Sequence, residues 1–303
     1  MTATATDAGG AALRGMALML LATVSFSVMH AMIRHVSAEV HPFEIAFFRN
    51  LFGLAIVIPW FLRDGWGPLR TNRFGLHLVR GGFNAVAMLT FFQALALTPL
   101  ADVAALGFTV PIFATVLAIL VIGERVGLRR WGAILVGFLG TLIVLRPGVE
   151  AVNLGGALVL ISSFSWACAL TVIKSLSRTD SSVTIVTYML LMMTPLTGVA
   201  ALFVWQDPTW THVAWFAAIA ALGTAAQLLI TQSLRLAATN VVIPVDFMKL
   251  IWAALIGYLA FAEVPGWATW TGGAVIFAAT VYIAWRERAA GREAVAAPRT
   301  AGH

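Results

Sequence analysis

Residues 93–141, QALALTPLADVAALGFTVPIFATVLAILVIGERVGLRRWGAILVGFLGT, and residues 232–280, QSLRLAATNVVIPVDFMKLIWAALIGYLAFAEVPGWATWTGGAVIFAAT, are two versions of one segment. A shift of 139 residues pairs Gln93 with Gln232, Leu95 with Leu234, Val103 with Val242, Phe108 with Phe247, Ala114 with Ala253, Glu124 with Glu263, Trp131 with Trp270 and Thr141 with Thr280. Upstream, a shift of 140 pairs Gly15 with Gly155, Leu18 with Leu158, Ser25 with Ser165 and Ile33 with Ile173, so one small indel separates the registers. Each copy carries five hydrophobic stretches. Because five is odd, the second copy crosses a membrane in the opposite sense to the first, which is the inverted-topology repeat of secondary transporters.

Composition leads to the same class independently. Hydrophobic residues make up 60% of the chain, charged residues 11%, and mean hydropathy is +0.92, against roughly 25% charged residues in a soluble domain. The stretches 15–33, 44–62, 78–97, 103–123, 131–145, 154–173, 183–204, 213–234, 241–262 and 267–285 mostly reach the ~20 residues that span a bilayer as a helix. We therefore expect an all-α membrane protein of ten transmembrane helices. Its parts are an N-terminal tail (1–12), a first repeat (13–148), a second repeat (149–288) and a C-terminal tail (289–303), both tails being small, polar and disordered. The first span has no cleavage site and reads as a retained anchor. Pro111 and Pro244 fall inside spans four and nine, where a missing amide donor opens or kinks a helix.

Charge placement sets orientation. With the N-terminus in the cytoplasm, fourteen of the nineteen Lys and Arg residues fall on the inside and only Arg34 and Arg146 outside. The positive-inside tendency then puts both termini in the cytoplasm of a bacterial-type inner membrane. The arginines are spread over several loops, so the basic balance implies contact with anionic membrane lipids rather than nucleic acid. Cys168 is the single cysteine, which rules out an intrachain disulfide and a cysteine-rich metal site. Phosphate-loop, metalloprotease and nucleophile-elbow motifs are absent. No cofactor, metal or enzymatic activity is expected. Small residues at 133/137 and 274/278 read as helix packing, consistent with a monomer or weak dimer.

Residues 94–148 combine an Ala-Leu pair before a short turn, a proline in the next span, Gly123-Glu124-Arg125 at its end and a glycine-rich helix after it. This resembles the EamA-type repeat of the drug/metabolite transporter superfamily. The pattern recurs at 233–288 with Glu263 in place, although Gly-Glu-Arg becomes Ala262-Glu263-Val264 there. HPFEIAFFRN, His41 to Asn50, resembles the branch that includes bacterial S-adenosylmethionine carriers. The resemblance implies transport of a small metabolite by alternating access, with spans three, four, eight and nine around a central cavity. It leaves the substrate open among amino acids, nucleotides, vitamins, metallophores and drugs.

Charges inside a bilayer cost about 2.5–3.5 kcal/mol on insertion scales, so they face an interior or a wet cavity. Asp246 and Lys249 lie deepest, at i,i+3 on one helix face, either as a self-neutralising pair or as a receptor for the ammonium and carboxylate of a zwitterion. Arg49 offers a second anion-binding fork or snorkels to the interface, while Arg80 is expected to snorkel. Asn84, Gln93 and Tyr188 add neutral hydrogen bonding, and Trp166 and Trp252 are deep enough to stack on a ring. His30, Glu44 and Asp246 are the candidates for proton coupling. Export of a small polar or zwitterionic metabolite such as an amino acid is the first expectation. Import of S-adenosylmethionine or another ring-bearing cofactor or vitamin is the alternative, and a non-transporting receptor or structural membrane protein the third.

Overall fold

Inside a bilayer every backbone N–H and C=O must be paired within the chain, so apolar spans become helices. The computed structural model describes residues 5–64, 71–122, 128–145, 154–176, 179–180, 182–236, 245–246 and 248–296. Among these it contains helices only: α1 (Ala5–Val36), α2 (Pro42–Asp64), α3 (Phe74–Leu97), α4 (Leu100–Gly107), α5 (Val110–Ile122), α6 (Leu128–Leu145), α7 (Leu154–Leu176), α8 (Ser182–Leu202), α9 (Trp210–Leu236), α10 (Met248–Phe261) and α11 (Trp267–Ala296). Helices α4 and α5 are the two halves of the fourth span, giving ten crossings arranged as two five-helix repeats. Six spans are long and apolar enough to cross a membrane by length and composition alone.

The break in the fourth span follows from its sequence. Pro111 has no N–H to return to the Gly107 carbonyl. The chain tightens there, with the Phe108 and Thr109 amides donating to the Ala105 and Leu106 carbonyls at 3.3 and 3.0 Å. The Thr109 hydroxyl donates to the Leu106 carbonyl at 2.7 Å, and the Thr280 hydroxyl on α11 reaches the Phe108 carbonyl at 3.3 Å. Pro244 lies outside the described residues. Helix also continues into segments read from sequence as disordered tails, starting at Ala5 and running to Ala296. The strong helix propensity of Ala, Arg and Glu in these stretches outweighs their low hydrophobicity.

The outer surface is that of a membrane protein. Leu120, Leu135, Phe138, Leu139, Leu202 and Leu259 are all exposed, large apolar side chains of the kind that water-facing monomers rarely group on their surface. Trp131, Trp205, Trp210, Trp267 and Trp270 are exposed at or near helix ends, as in interfacial aromatic belts.

Helix packing repeats the internal symmetry. Helix α1 packs along α9, and its repeat-equivalent, α7, packs along α3. Likewise α2 against α9 is matched by α8 against α3, and α1 against α10 by α7 against α4 and α5. The self-related pairs α2–α8, α4–α10 and α6–α11 lie on the pseudo-twofold axis. Two interleaved bundles result: α1, α2, α9 and α10 form one, and α3, α4/α5, α7 and α8 the other. The α6–α11 pair flanks both and is held by glycines. A Cβ at Gly272 would lie 2.6 Å from the Gly140 carbonyl, and one at Gly140 would lie 3.0 Å from the Gly272 carbonyl. The packing face of α11 runs through Gly272, Ile276 and Ala279, whereas Ala274 and Ala278, expected to pack, face outward.

Candidate functional site

A cavity of about 510 Å³ lies between the two bundles, within the size range of small-molecule sites. Its lining is arranged by the repeat. Phe26 and Trp166 are repeat-equivalents and both line it, as do Phe91 and Ile230. At four further pairs the chemistry differs between copies. Arg49, Gln227, Asp246 and Lys249 on the first bundle correspond to Met189, Met88, Gly107 and Val110 on the second, and all eight line the cavity. One wall therefore carries the charges, and the facing wall is uncharged and more apolar.

On the polar wall, Lys249 Nζ sits 2.5 Å from Asp246 Oδ1 and 5.3 Å from the centre of the Phe26 ring. The two charges satisfy each other while remaining open to the cavity, with side chains about a quarter to a third exposed. The His30 ring stacks with Phe26 at 5.9 Å and tilts against Phe91 at 5.0 Å. Arg49 donates to Asn50 Oδ1 at 3.1 Å and has no carboxylate partner among the described residues. Asn50 in turn donates to the Thr197 hydroxyl at 3.3 Å, bridging α2 to α8 on the pseudo-axis.

Asn84 stands on the apolar side. It is 2% exposed, it lines the cavity, and neither amide atom has a hydrogen-bond partner among the described residues. A buried amide left unpaired costs about 1–3 kcal/mol per group, and native structures hold few of them. Its repeat-equivalent is Gly223, so no symmetry-related partner faces it.

One end of the cavity is closed by polar groups that charge-counting within spans overlooked, because they lie at helix ends. Arg34 on α1 forms an ion pair with Glu263 in the α10–α11 connection. Its Nη1 also donates to the carbonyls of Leu95 at 2.9 Å and Thr98 at 2.5 Å, and its guanidinium lies 5.3 Å from the Phe261 ring centre. The second oxygen of Glu263 accepts from the Leu100 amide at 3.0 Å. Beside it, the Thr269 hydroxyl donates to Asp102. Burial pushes the Glu263 carboxyl above its usual range, against the opposing pull of the Leu100 amide and Arg34. Two features aim Glu263 at this point. Ala262 has a left-handed backbone, φ 54°, at the position where the first repeat has Gly123. Gly257 leaves room for the carboxylate, since a Cβ there would lie 2.9 Å from Glu263 Oε2.

Of the expected site residues, Asp246, Lys249, Arg49, Asn84, Trp166 and His30 come together around the cavity. The others do not line it. Trp252 donates from its indole to the Thr23 hydroxyl at 3.2 Å. Tyr188 stacks on His77 at 4.5 Å, and Gln93 and Gln232 do not meet as a symmetric pair in the lining. Glu44 is fully buried and accepts from the Gln206 amide at 2.9 Å, capping the α8–α9 connection. Arg80 does not snorkel: it is 4% exposed and donates to the Ile185 carbonyl at 2.6 Å. Ser27, Ser162, Ser163 and Met88 also line the cavity. Small hydroxyls and methionines do not disturb a hydropathy profile, so sequence gives them little signal.

At the opposite end, His77 Nε2 and the Thr71 hydroxyl each lie 2.7 Å from Asp180 Oδ2. Burial raises the Asp180 carboxyl, but the hydrogen bonds from Thr71, His77 and Thr179 outweigh it and hold it below the usual carboxylate range. This contact stays within the second bundle. The His212–Glu39 pair at 3.0 Å plays the same part within the first bundle at the other end.

These features agree with comparisons to known proteins. The chain is 32% identical over 288 residues to a protein named riboflavin transporter from Vibrio cholerae, covering 93% of this chain and 96% of that one. It is 26% identical over 276 residues to an S-adenosylmethionine uptake transporter from Rickettsia bellii, covering 91% and 95%. It is 29% identical over 272 residues to the pseudopaline exporter CntI of Pseudomonas aeruginosa, covering 88% and 94%. Two inverted five-helix copies around one cavity, each matching the same family over residues 13–146 and 153–285, make this chain a member of the EamA-like transporter family.

Proposed function

We propose that this transporter imports a flat, ring-bearing cofactor or cofactor precursor of the flavin kind across the inner membrane, with both termini cytoplasmic. The observation that carries the reading is the two-faced cavity. Phe26 and Trp166, contributed by equivalent positions of the two repeats, offer apolar faces for a ring. The unpartnered Asn84 amide offers one donor and one acceptor to a ring edge, and Arg49 a fork for carbonyl or hydroxyl oxygens. A substrate with one flat apolar side and one polar side matches such walls. A uniformly polar amino acid leaves both aromatic side chains, one on each wall, unused. The names of the Vibrio cholerae and Rickettsia bellii relatives support ring-bearing substrates.

Movement by alternating access is supported by the packing: α2–α8 and α4–α10 are self-related contacts about which the two bundles would rock with the site between them. Of the groups considered for proton coupling, His30 and Asp246 line the cavity, and the reading assigns coupling to them. A second reading, export of a zwitterionic metabolite such as an amino acid derivative, is favoured by Asp246 and Lys249 if their pair opens to receive opposite charges. The name of the Pseudomonas aeruginosa relative supports that direction.

The test is uptake of labelled riboflavin into proteoliposomes, in parallel with S-adenosylmethionine and a mixture of amino acids. Saturable riboflavin accumulation supports the first reading. Absence of riboflavin uptake with amino-acid exchange instead moves the second reading to the front.

A further inference from the structure

We infer that Arg34 and Glu263 are positioning residues of the transport cycle, forming a latch that holds the outer end of the cavity shut and must break for that end to open. The inference rests on the carrier reading but not on any particular substrate. Its geometry is specific. Arg34 belongs to the first bundle, and its guanidinium binds the carbonyls of Leu95 and Thr98 on and after α3 of the second. Glu263 follows α10 of the first bundle and binds the amide of Leu100 at the start of α4 in the second. Leu95 and Leu100 are themselves cavity-lining residues, both almost completely buried. The ion pair itself lies within the first bundle and holds its two side chains in place, while their hydrogen bonds to the Leu95, Thr98 and Leu100 backbone reach across the gap between the rocking units, to two residues that line the cavity.

The contrast with the other polar pairs supports this assignment. His77–Asp180 and His212–Glu39 each tie a bundle to itself, so rigid-body rocking leaves them intact. Arg34 and Glu263 differ in that their remaining hydrogen bonds go to the backbone of the other bundle, and these contacts, rather than the ion pair, have to open in every cycle. Their strength is of a suitable kind, because a charge-assisted contact between partly buried groups is directional and is lost together with its geometry. The α3–α4 connection that they grip is only Thr98 and Pro99, so it moves as one piece with the ends of both helices.

The experiment uses the full chain in oriented membrane vesicles without substrate. Cys168→Ser removes the native thiol, and Ser27→Cys places a reporter in the cavity wall. The reaction rate of that cysteine with a membrane-impermeant thiol reagent is measured from each face. Arg34→Gln and Glu263→Gln are each expected to raise the rate from the outer face by about tenfold or more, since removing one partner strands the other charge. The rate from the inner face should stay level or fall. Arg34→Lys, which keeps the charge and loses the fork, should give an intermediate rise and serves if the other variants fail to fold. An unchanged outer rate in variants that elute and unfold like the parent overturns the latch. So does an equal rise from both faces, which reports general loosening. Because no substrate is present, failure here leaves the riboflavin test standing, and failure of that test leaves the latch standing.

Discussion

Replacing Asn84 by leucine separates a binding residue from a structural one by the sign of its effect on stability. Leucine keeps the branching of the amide and removes two polar atoms that have no partner among the described residues. Each unpaired buried group costs about 1–3 kcal/mol, so the Asn84→Leu protein without substrate should be more stable by at least ~1 kcal/mol. If the proposed ring-bearing substrate binds, the same amide would make two neutral hydrogen bonds to the ring edge, worth about 0.5–1.5 kcal/mol each. Their loss totals ~1–3 kcal/mol, which raises the KM for transport by about 5- to 150-fold. Thermal unfolding in detergent and proteoliposome uptake kinetics measure the two effects on one preparation. The expected result is a higher unfolding midpoint together with weaker transport, and riboflavin should lose its stabilising effect in the variant. A lower midpoint with unchanged KM refutes the argument, because it means that the amide is satisfied inside the protein and holds helices together.

Arg49→Gln should weaken uptake and shift competition toward cationic ring compounds, since it removes the cavity charge that has no described carboxylate partner; inhibition by neutral and cationic analogues reads this out. Arg49→Lys keeps the charge without the planar fork and should raise KM with a smaller change in selectivity. Asp246→Asn and Lys249→Met, made separately, should abolish transport while leaving membrane yield near the parental level, and loss of folded protein in either would identify a structural pair instead. Gly272→Ala should lower stability by about 1–3 kcal/mol, because its Cβ meets the Gly140 carbonyl at 2.6 Å and the Val144 amide at 3.0 Å, backbone of α6 that cannot give way, as well as the Val144 side chain. The folded-state pKa of Asp180 is depressed, so its contribution to stability is present above the usual carboxylate value and is lost as pH falls through the lowered one. Unfolding midpoints followed from neutrality to about pH 3 should drop less steeply for Asp180→Asn than for the parent.

The fold was largely legible in the sequence because a bilayer enforces helices and an odd repeat enforces inversion. Helix ends and the break at Phe108 and Thr109 were less so, since Pro111 announces a disturbance without saying which carbonyls it frees or that Thr109 and Thr280 cover them. In the site, counting intramembrane charges found Asp246, Lys249 and Arg49 but misjudged Arg80 and Glu44. Both are buried by long-range backbone partners, Ile185 and Gln206, that no local spacing reveals. Trp166 was recognised as a cavity residue from depth alone. Trp252, equally deep, faces Thr23, because depth does not fix which side of a helix looks inward. Arg34 carried no signal, standing just beyond an apolar span where a lone arginine reads as an interfacial anchor.

What the repeat adds is a way to read the cavity as a comparison of two copies. Where both copies supply bulky apolar groups, as at Phe26/Trp166 and Phe91/Ile230, the two walls are alike. Where they differ, the difference is consistent in direction: the second bundle has Met189, Gly107 and Val110 at the positions that hold Arg49, Asp246 and Lys249 in the first. A purely structural network would be free to occur in either copy, and scattered substitution would place charges on both. Concentration of charge on one wall is what a symmetric frame shows when one face of it has taken on chemistry. Asn84 on α3 and the Ser162 and Ser163 hydroxyls on α7 are neutral polar groups on the other face. The decisive variant is therefore the exchange of sides at a repeat-equivalent pair that lines the cavity: Met88→Gln with Gln227→Met keeps the composition of the lining and should still weaken transport, whereas a site that needs only polarity would retain it.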